Sequence, residues 1–410
     1  MARTHTLPVV LAAGMLMFGA SGAWAQPQES FASFLRSFEA KAVTAGISPS
    51  VYESATRGLT PDPTIPEFNA AQPEFETPVW SYLDQRITEA RIERGQAAFA
   101  TNRALFERVG REFGVDPFVL ASIWGIESDY GAVLDNPTYI KPVIRSLATL
   151  VHQRRERVGA DERELIAALR IIQDGEATAE TLVGSWAGAI GHLQLVPTAF
   201  IDHAIDYDSD GRRDPHRSLA DALGSSAKFL RDLGYQPGSD WGYEVALPAG
   251  FDYRLAGREQ MRPVSFFAAR GVARVRGRDF PDPDEPVFLY VPAGHDGPKF
   301  LMTANYLVFK GYNFSDSYAL TVAHLTDRLK GAGPLAGDWP RGARFLGRAE
   351  RVELQELLQQ AGYYQGTVDG RLGPVTSAAL RDWQAANGFT ADGFATSEAL
   401  AALRAALQGN

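Results

Sequence analysis

The chain has 410 residues, 45 % hydrophobic and 22 % charged, with a formal net charge of −9 and no cysteine. That length fits two or three domains, and the composition suits a chain able to bury a core. The acidic balance argues against a general nucleic-acid binder, and the lack of cysteine excludes disulfides, cysteine nucleophiles, Cys-type zinc sites and a lipid-modified N-terminal cysteine.

Residues 1–25 read as a signal peptide. Arg3 gives the positive start, residues 7–20 form a short apolar core, and Ala23-Trp24-Ala25 fits a small-x-small cleavage site. The run is short for a spanning helix and no second long apolar run follows. The expectation is an exported, soluble protein with no transmembrane segment, in a bacterial periplasm.

Residues 31–45 and a short stretch opened by Ser48-Pro49-Ser50 and closed by Gly58 carry helical periodicity. Residues 60–78 are rich in proline and read as a connector. A helix follows from Pro78 with Val79, Trp80, Tyr82 and Leu83, then another over 92–113. Asp116 and Pro117 open the next helix as N-cap and first residue, and Gly131 ends it. Leu120, Ile123, Trp124 and Glu127 share one face of it. A carboxylate on an apolar face either carries a partner or keeps its proton, as a general acid must. A glutamate half exposed at a helix end and without a role fits this stretch as well.

Helical patterns continue over 144–150 and 162–173. The segment Gly184-Ser185-Trp186-Ala187-Gly188-Ala189-Ile190-Gly191-His192-Leu193-Gln194-Leu195-Val196-Pro197 fits either a tight helix crossing or a backbone shaped for close ligand approach. A helix is expected over 198–204. Asp206-Tyr207-Asp208-Ser209-Asp210-Gly211 opens like a calcium loop but breaks afterwards, with Pro215 inside it and Arg217 at the twelfth position. Asp221 is placed to supply the missing carboxylate; an acidic surface turn is the alternative.

After a helix over 222–233, short β-type runs at 243–247, 264–267 and 287–291 suggest a small sheet. Helices are expected over 301–309 and 318–329. Residues 331–342, with four glycines and two prolines, read as a linker, and the tail as three helices (from Val352, 376–386, 397–407).

With these residues in view, the chain resembles the lytic murein transglycosylase B family. The resemblance spans residues 31–329. It is carried by Trp124-Gly125-Ile126-Glu127-Ser128, Ala187-Gly188-Ala189-Ile190-Gly191 with Gln194 and Pro197, the acidic loop, and Tyr312-Asn313 with Ser315-Asp316-Ser317-Tyr318. The tail resembles the peptidoglycan-binding domain of cell-wall enzymes through Asp369-Gly370, Gly373 and Thr376.

The resemblance implies a mainly α fold. A lysozyme-like catalytic domain with a small β subdomain occupies 26–330, a linker 331–345 and a three-helix peptidoglycan-binding domain 346–410. It implies cleavage of the β-1,4 bond between N-acetylmuramic acid and N-acetylglucosamine to a 1,6-anhydro sugar, a lyase reaction. Glu127 matches the acid/base, and Tyr82, Ser185, Gln194, Tyr312, Asn313 and Tyr318 match substrate contacts. Asp206, Asp208, Asp210 and Asp221 match ligands of a structural calcium ion. No cofactor is expected for the chemistry, the partner is the glycan strand, and a monomer is expected.

Three positions depart from the family pattern: Phe229 for a tyrosine, His192-Leu193 for small or polar residues, and Pro215-His216 for an apolar-aromatic pair. A glycosidase ordinarily uses two carboxylates. Asp129 points away from Glu127 on a helix, so one carboxyl is expected to act first as acid and then as base. The rival readings are a muramidase of the same fold and a non-catalytic wall-binding protein.

Overall fold

The structure is a computed structural model that describes residues 29–65, 77–153 and 157–408; the signal-peptide reading and much of the connector lie outside the described residues. The first helices, α1 (Phe31–Thr44) and α2 (Pro49–Thr56), start at serine caps, Ser30 and Ser48. Then come α3 (Val79–Arg86), α4 (Glu89–Thr101), α5 (Arg103–Phe113) and α6 (Pro117–Ser128). The single helix expected over 92–113 is two. Asn102 has non-helical angles (φ −107°, ψ 16°), and its side-chain amide donates to the Ala98 carbonyl at 2.9 Å, closing α4.

Helix α6 has both its ends fixed locally. Asp116 accepts the Phe118 N–H at 2.8 Å, with Pro117 at the first position. Asp129 then turns left-handed (φ 51°) and stops the helix. The expected single apolar stripe is too narrow: every residue from Val119 to Gly125 is buried. A helix apolar on all sides must be surrounded by other elements.

A two-stranded ribbon of β1 (Lys141–Pro142) and β2 (Val183–Gly184) brackets α7 (Val143–His152) and α8 (Val158–Gln173). With α1, α2 and α9 (Pro197–His203), these helices enclose one core. Next come α10 (Leu219–Asp232) and the strands β3 (Gly242–Ala246), β4 (Arg262–Pro263), β5 (Ala273–Arg274), β6 (Pro286–Tyr290) and β7 (Lys299–Met302). They form an antiparallel sheet of order β4-β6-β7-β3-β5. Its side chains alternate by face. Phe288, Phe300 and Met302 enter the main core, while Tyr243, Val245, Val287, Leu289 and Leu301 meet a separate cluster.

Two expectations fail in this region. Residues 264–267 are not a strand but α11 (Val264–Ala268), because Pro263 leads into a helical turn that buries Val264 and Phe267 together. Residues 301 and 302 belong to β7, and Thr303 caps the following helix by accepting the Asn305 N–H. That helix is α12 (Ala304–Tyr312), followed by α13 (Asp316–Leu329), which packs along α6.

The tail folds as α14 (Arg348–Gln360), α15 (Pro374–Ala386) and α16 (Ser397–Gln408) around its own core. Buried Gln355 accepts the N–H groups of Asp369 and Gly370, and Gln384 accepts that of Gly393, so each Asp-Gly loop hangs on a glutamine of a preceding helix. The glycine-rich segment before the tail is pinned. Glu244 of β3 accepts the Ala336 and Gly337 N–H groups at 2.7–2.9 Å, Trp339 packs near Trp80 at 6.1 Å, and Arg341 pairs with Asp84. Asp392 of the tail bonds both the ring and the N–H of His295 (2.6 and 3.0 Å).

These contacts generate a prediction. Hydrogen bonds to a charged acceptor contribute about 1.5–3 kcal/mol. Glu244→Ala should therefore raise the rate of tryptic cleavage at Arg341 and Arg344 by about tenfold or more. Unchanged cleavage would show that Glu244 does not hold the segment.

Candidate active site

Glu127 lies in the last turn of α6, and its surroundings are built by four segments. Helix α13 runs antiparallel to α6, with Thr326 donating to Ser122 in the buried seam (3.0 Å). At the other end of that seam Tyr318 donates to Glu127 Oε1 at 2.6 Å. Ser315 orients Tyr318 by accepting its N–H at the start of α13. Burial first, then the charge of Glu127, push the Tyr318 hydroxyl well above its ordinary range, so it keeps its proton and stays a donor. Tyr82, buried beneath the Arg86 guanidinium at 4.9 Å, also bears on Tyr318.

The third segment is the glycine-rich stretch, which is a pair of turns rather than a helix. Ser185 closes the first: its N–H donates to Ala189 O (2.7 Å) and its hydroxyl accepts the Ala189 N–H (3.1 Å). Ile190 and Leu195 bridge the second, and Gln194 sits in it at φ 52° with its side-chain amide donating to Gly191 O at 2.9 Å. Gly191 is required here. At φ 77°, a Cβ would lie 2.1 Å from the Pro215 carbonyl oxygen. Left-handed backbone also lies two and three residues after Glu127, at Asp129 and Tyr130 (φ 51° and 60°). Such strain persists only where surrounding structure enforces it, and it concentrates at functional sites.

Tyr312, at the end of α12, ties the segments together. It donates to Leu193 O (2.7 Å), next to Gln194, and accepts from Ser226 of α10 (3.0 Å). Burial and then the Glu127 charge push the Tyr312 hydroxyl up as well, so it too keeps its proton. Phe229, which stands where the family pattern has a tyrosine, stacks on His203 (4.6 Å) and packs on Tyr312 (5.1 Å). Asn313 accepts the Ser315 N–H and so shapes the α12–α13 turn.

Asp129 is held elsewhere. Burial favours its neutral form, but hydrogen bonds from Arg94 (2.8 Å) and Arg91 (3.2 Å) outweigh that and keep the carboxyl below its usual range. It is an ionised anchor of the α6 end, with its oxygens committed to two guanidiniums.

The carboxylates of Asp206, Asp208 and Asp210 converge, with one oxygen of each within 4.8 Å of the others. Asp221 does not join them. It is fully buried and accepts the N–H groups of Tyr207 and Asp214 at 2.8 Å, holding the loop from inside.

Ser226 and the pair Arg91/Arg94 escaped sequence reading, and Trp124, Ser128 and His192 were read as motif or departure positions without a role in the site. Ser226 had a weak signal, the run Gly224-Ser225-Ser226-Ala227 of small residues on a buried helix face.

Comparison with known proteins places this geometry. The transglycosylase SLT domain family matches residues 30–327, and a peptidoglycan binding domain family matches residues 347–403. The chain belongs to the lytic murein transglycosylase B family. It is similar to SltB3 of Pseudomonas aeruginosa, solved in complex with NAG-anhNAM-pentapeptide, at 40% identity and a TM-score of 0.85, over 92% of this chain and 100% of that one. It is also similar to membrane-bound lytic murein transglycosylase B of Escherichia coli K12, 25% identical over 64% of this chain and 71% of that protein. Escherichia coli Slt35, solved in complex with calcium, shares the fold (21% identity, TM-score 0.60, 72% of this chain and 92% of that one). The lytic transglycosylase is thus a mostly helical enzyme of the lysozyme-like class, a lyase acting on peptidoglycan, with a helical peptidoglycan-binding domain at its C-terminal end. Among the described residues no helix is long and apolar enough to cross a membrane.

The buried histidines set the acid response of this fold. Burial lowers His192 and His324 from 6.5 to about 4, and His216 shifts the same way. Between those values these histidines are protonated in the unfolded chain and neutral in the folded one, so the stability they contribute falls as pH drops from about 6.5 to 4. The melting temperature should fall over that window, and less steeply in His324→Gln. Parallel profiles would contradict the assignment to His324.

Proposed function

We propose that Glu127 alone carries the proton chemistry. Its target is the β-1,4 bond between N-acetylmuramic acid and N-acetylglucosamine, and the product is a 1,6-anhydro-muramyl end. The observation that carries this reading is the 2.6 Å bond from Tyr318 to Glu127, beside an Asp129 already committed to Arg91 and Arg94. One carboxyl faces the cleft, while the neighbouring one serves structure.

The steps follow from that arrangement. Protonated Glu127 gives its proton to the glycosidic oxygen as the bond to the muramyl anomeric carbon breaks. The 2-acetamido oxygen stabilises the electron-poor carbon. Glu127, now a carboxylate, takes the proton of the 6-hydroxyl as that oxygen bonds the same carbon, so Glu127 regains its proton and no water is consumed. Tyr318, Tyr312 and Tyr82 shape the wall around the reacting sugar, and Gln194, Ser185 and Asn313 line the approach. The SltB3 complexes with NAG-NAM-pentapeptide and NAG-anhNAM-pentapeptide support both substrate and product assignments.

We assign residues 1–25 as a cleaved signal for the periplasm, 26–330 as the catalytic unit, 331–345 as the connection and 346–410 as the wall-binding unit. The loop of Asp206, Asp208 and Asp210 fits a hard cation such as calcium, because its converging donors are carboxylate oxygens. The ion would neutralise their mutual repulsion and stiffen the loop, with no part in the proton steps. The calcium complex of Slt35 supports that reading.

Glu127→Gln should keep the fold and wall binding but lower cleavage by about a thousandfold. Digests of purified peptidoglycan, read by mass spectrometry, should contain anhydro-muramyl products. Products one water heavier would make the enzyme a hydrolase. Calcium should raise the melting temperature of the wild type by about 2 °C or more and leave the Asp208→Ala, Asp210→Ala double variant unmoved. Equal shifts would remove the site.

A further inference from the structure

His192 departs from the family pattern, and three of its polar groups join separate segments of the site. Its ring Nδ1 accepts the indole N–H of Trp124 at 3.0 Å, with the two rings edge to face at 5.8 Å. Its carbonyl accepts the hydroxyl of Ser128 at 2.6 Å. Its N–H donates to the Pro215 carbonyl at 2.9 Å, in the segment after the acidic loop. Trp124 and Ser128 flank Glu127 on α6, three residues before it and one after. Two residues beyond His192 stands Gln194. One residue therefore joins the last turn of the Glu127 helix, the Gln194 turn and the chain leaving the acidic loop.

The fit is tight on every side. A Cβ on Gly131 would lie 2.8 Å from the His192 ring, and the Ser128 hydroxyl that donates to His192 also accepts the Gly131 N–H (3.1 Å). Because the indole is a donor only, Nδ1 must be an acceptor, which assigns the proton of the neutral ring to Nε2.

We propose that His192 is a positioning residue that holds the Glu127 carboxyl and the Gln194 turn in register through its acceptor for Trp124. The proposal rests on the reading of Glu127 as the acid/base. The acceptor is the essential property. An apolar side chain in its place leaves the indole N–H of Trp124, a residue 5% exposed, without that partner, and the helix end then meets the turn only through the Ser128 bond to the residue 192 carbonyl. Small displacements of a proton donor are costly to catalysis, on the order of a hundredfold per ångström. An imidazolium would also fail, since both its nitrogens donate. The charged and titratable groups facing the ring are His216 and Asp214, and burial keeps the ring neutral down to about pH 4.

Two substitutions separate positioning from mere filling of space. His192→Leu removes the acceptor. His192→Asn keeps one, since its amide oxygen takes the place of Nδ1, and it cannot be protonated. With soluble glycan strands as substrate, His192→Leu should lower kcat by about tenfold or more with KM within about twofold, while His192→Asn should restore kcat to within about threefold of wild type. The fall in wild-type activity on acidification toward pH 4 should be shallower in His192→Asn. Equal kcat for the two variants, or losses that only follow their melting temperatures, would overturn the proposal. Glu127→Gln is assayed beside them. If it still cleaves, the reading of Glu127 fails. If it is inactive while His192→Leu matches wild type, the positioning role alone fails.

Discussion

The seam between α6 and α13 is the constraint on which the site depends. Both helices are buried along much of their length, and they lie antiparallel, so the end of one meets the beginning of the other. That places Tyr318 against Glu127. A hydroxyl held in an apolar wall beside a carboxylate cannot ionise, so it donates. Leu120 and Ile123, both fully buried, fix the depth of α6. Truncating either to alanine costs about 2–5 kcal/mol, as much as or more than one of the site's hydrogen bonds contributes. The packing is therefore what aims the carboxyl, and the polar contacts refine it.

Around that seam the strain is concentrated. The helix stops in two successive left-handed residues that carry side chains, and the Gln194 turn contains a third such residue. Neither conformation is comfortable for residues with side chains. Each is enforced by partners on other segments: Arg91 and Arg94 on Asp129, Tyr312 and Ser128 on the carbonyls of Leu193 and His192. The site is thus two strained turns clamped face to face, with Glu127 between a rigid helix and a clamped end.

The tail and its connection show a related economy of contacts. A segment whose glycines and prolines suggest freedom is held by a nearly buried carboxylate and two tryptophans. Composition speaks to what a segment does alone. It is silent about an acceptor supplied from β3, some ninety residues earlier.

The segments that carry Glu127, Gln194 and Tyr318 were legible from the sequence because each has a local signature: a capped helix, a run of small residues and a loop with aromatic and polar residues. The acidic loop and the three tail helices were legible for the same reason. What stayed hidden was set by partners distant in sequence. Ser226 reaches Tyr312 across 86 residues and Trp124 reaches His192 across 68. Asp221 turns to the loop's own amides, and residues 264–268 coil because Val264 and Phe267 share one buried cluster. By itself the sequence determined which chemistry the chain holds, since residue type and local spacing set helix ends, turns and donor types. The tertiary structure alone decided which carboxyl meets a tyrosine hydroxyl and which is tied to two guanidiniums, because that depends on where side chains from other segments come to rest.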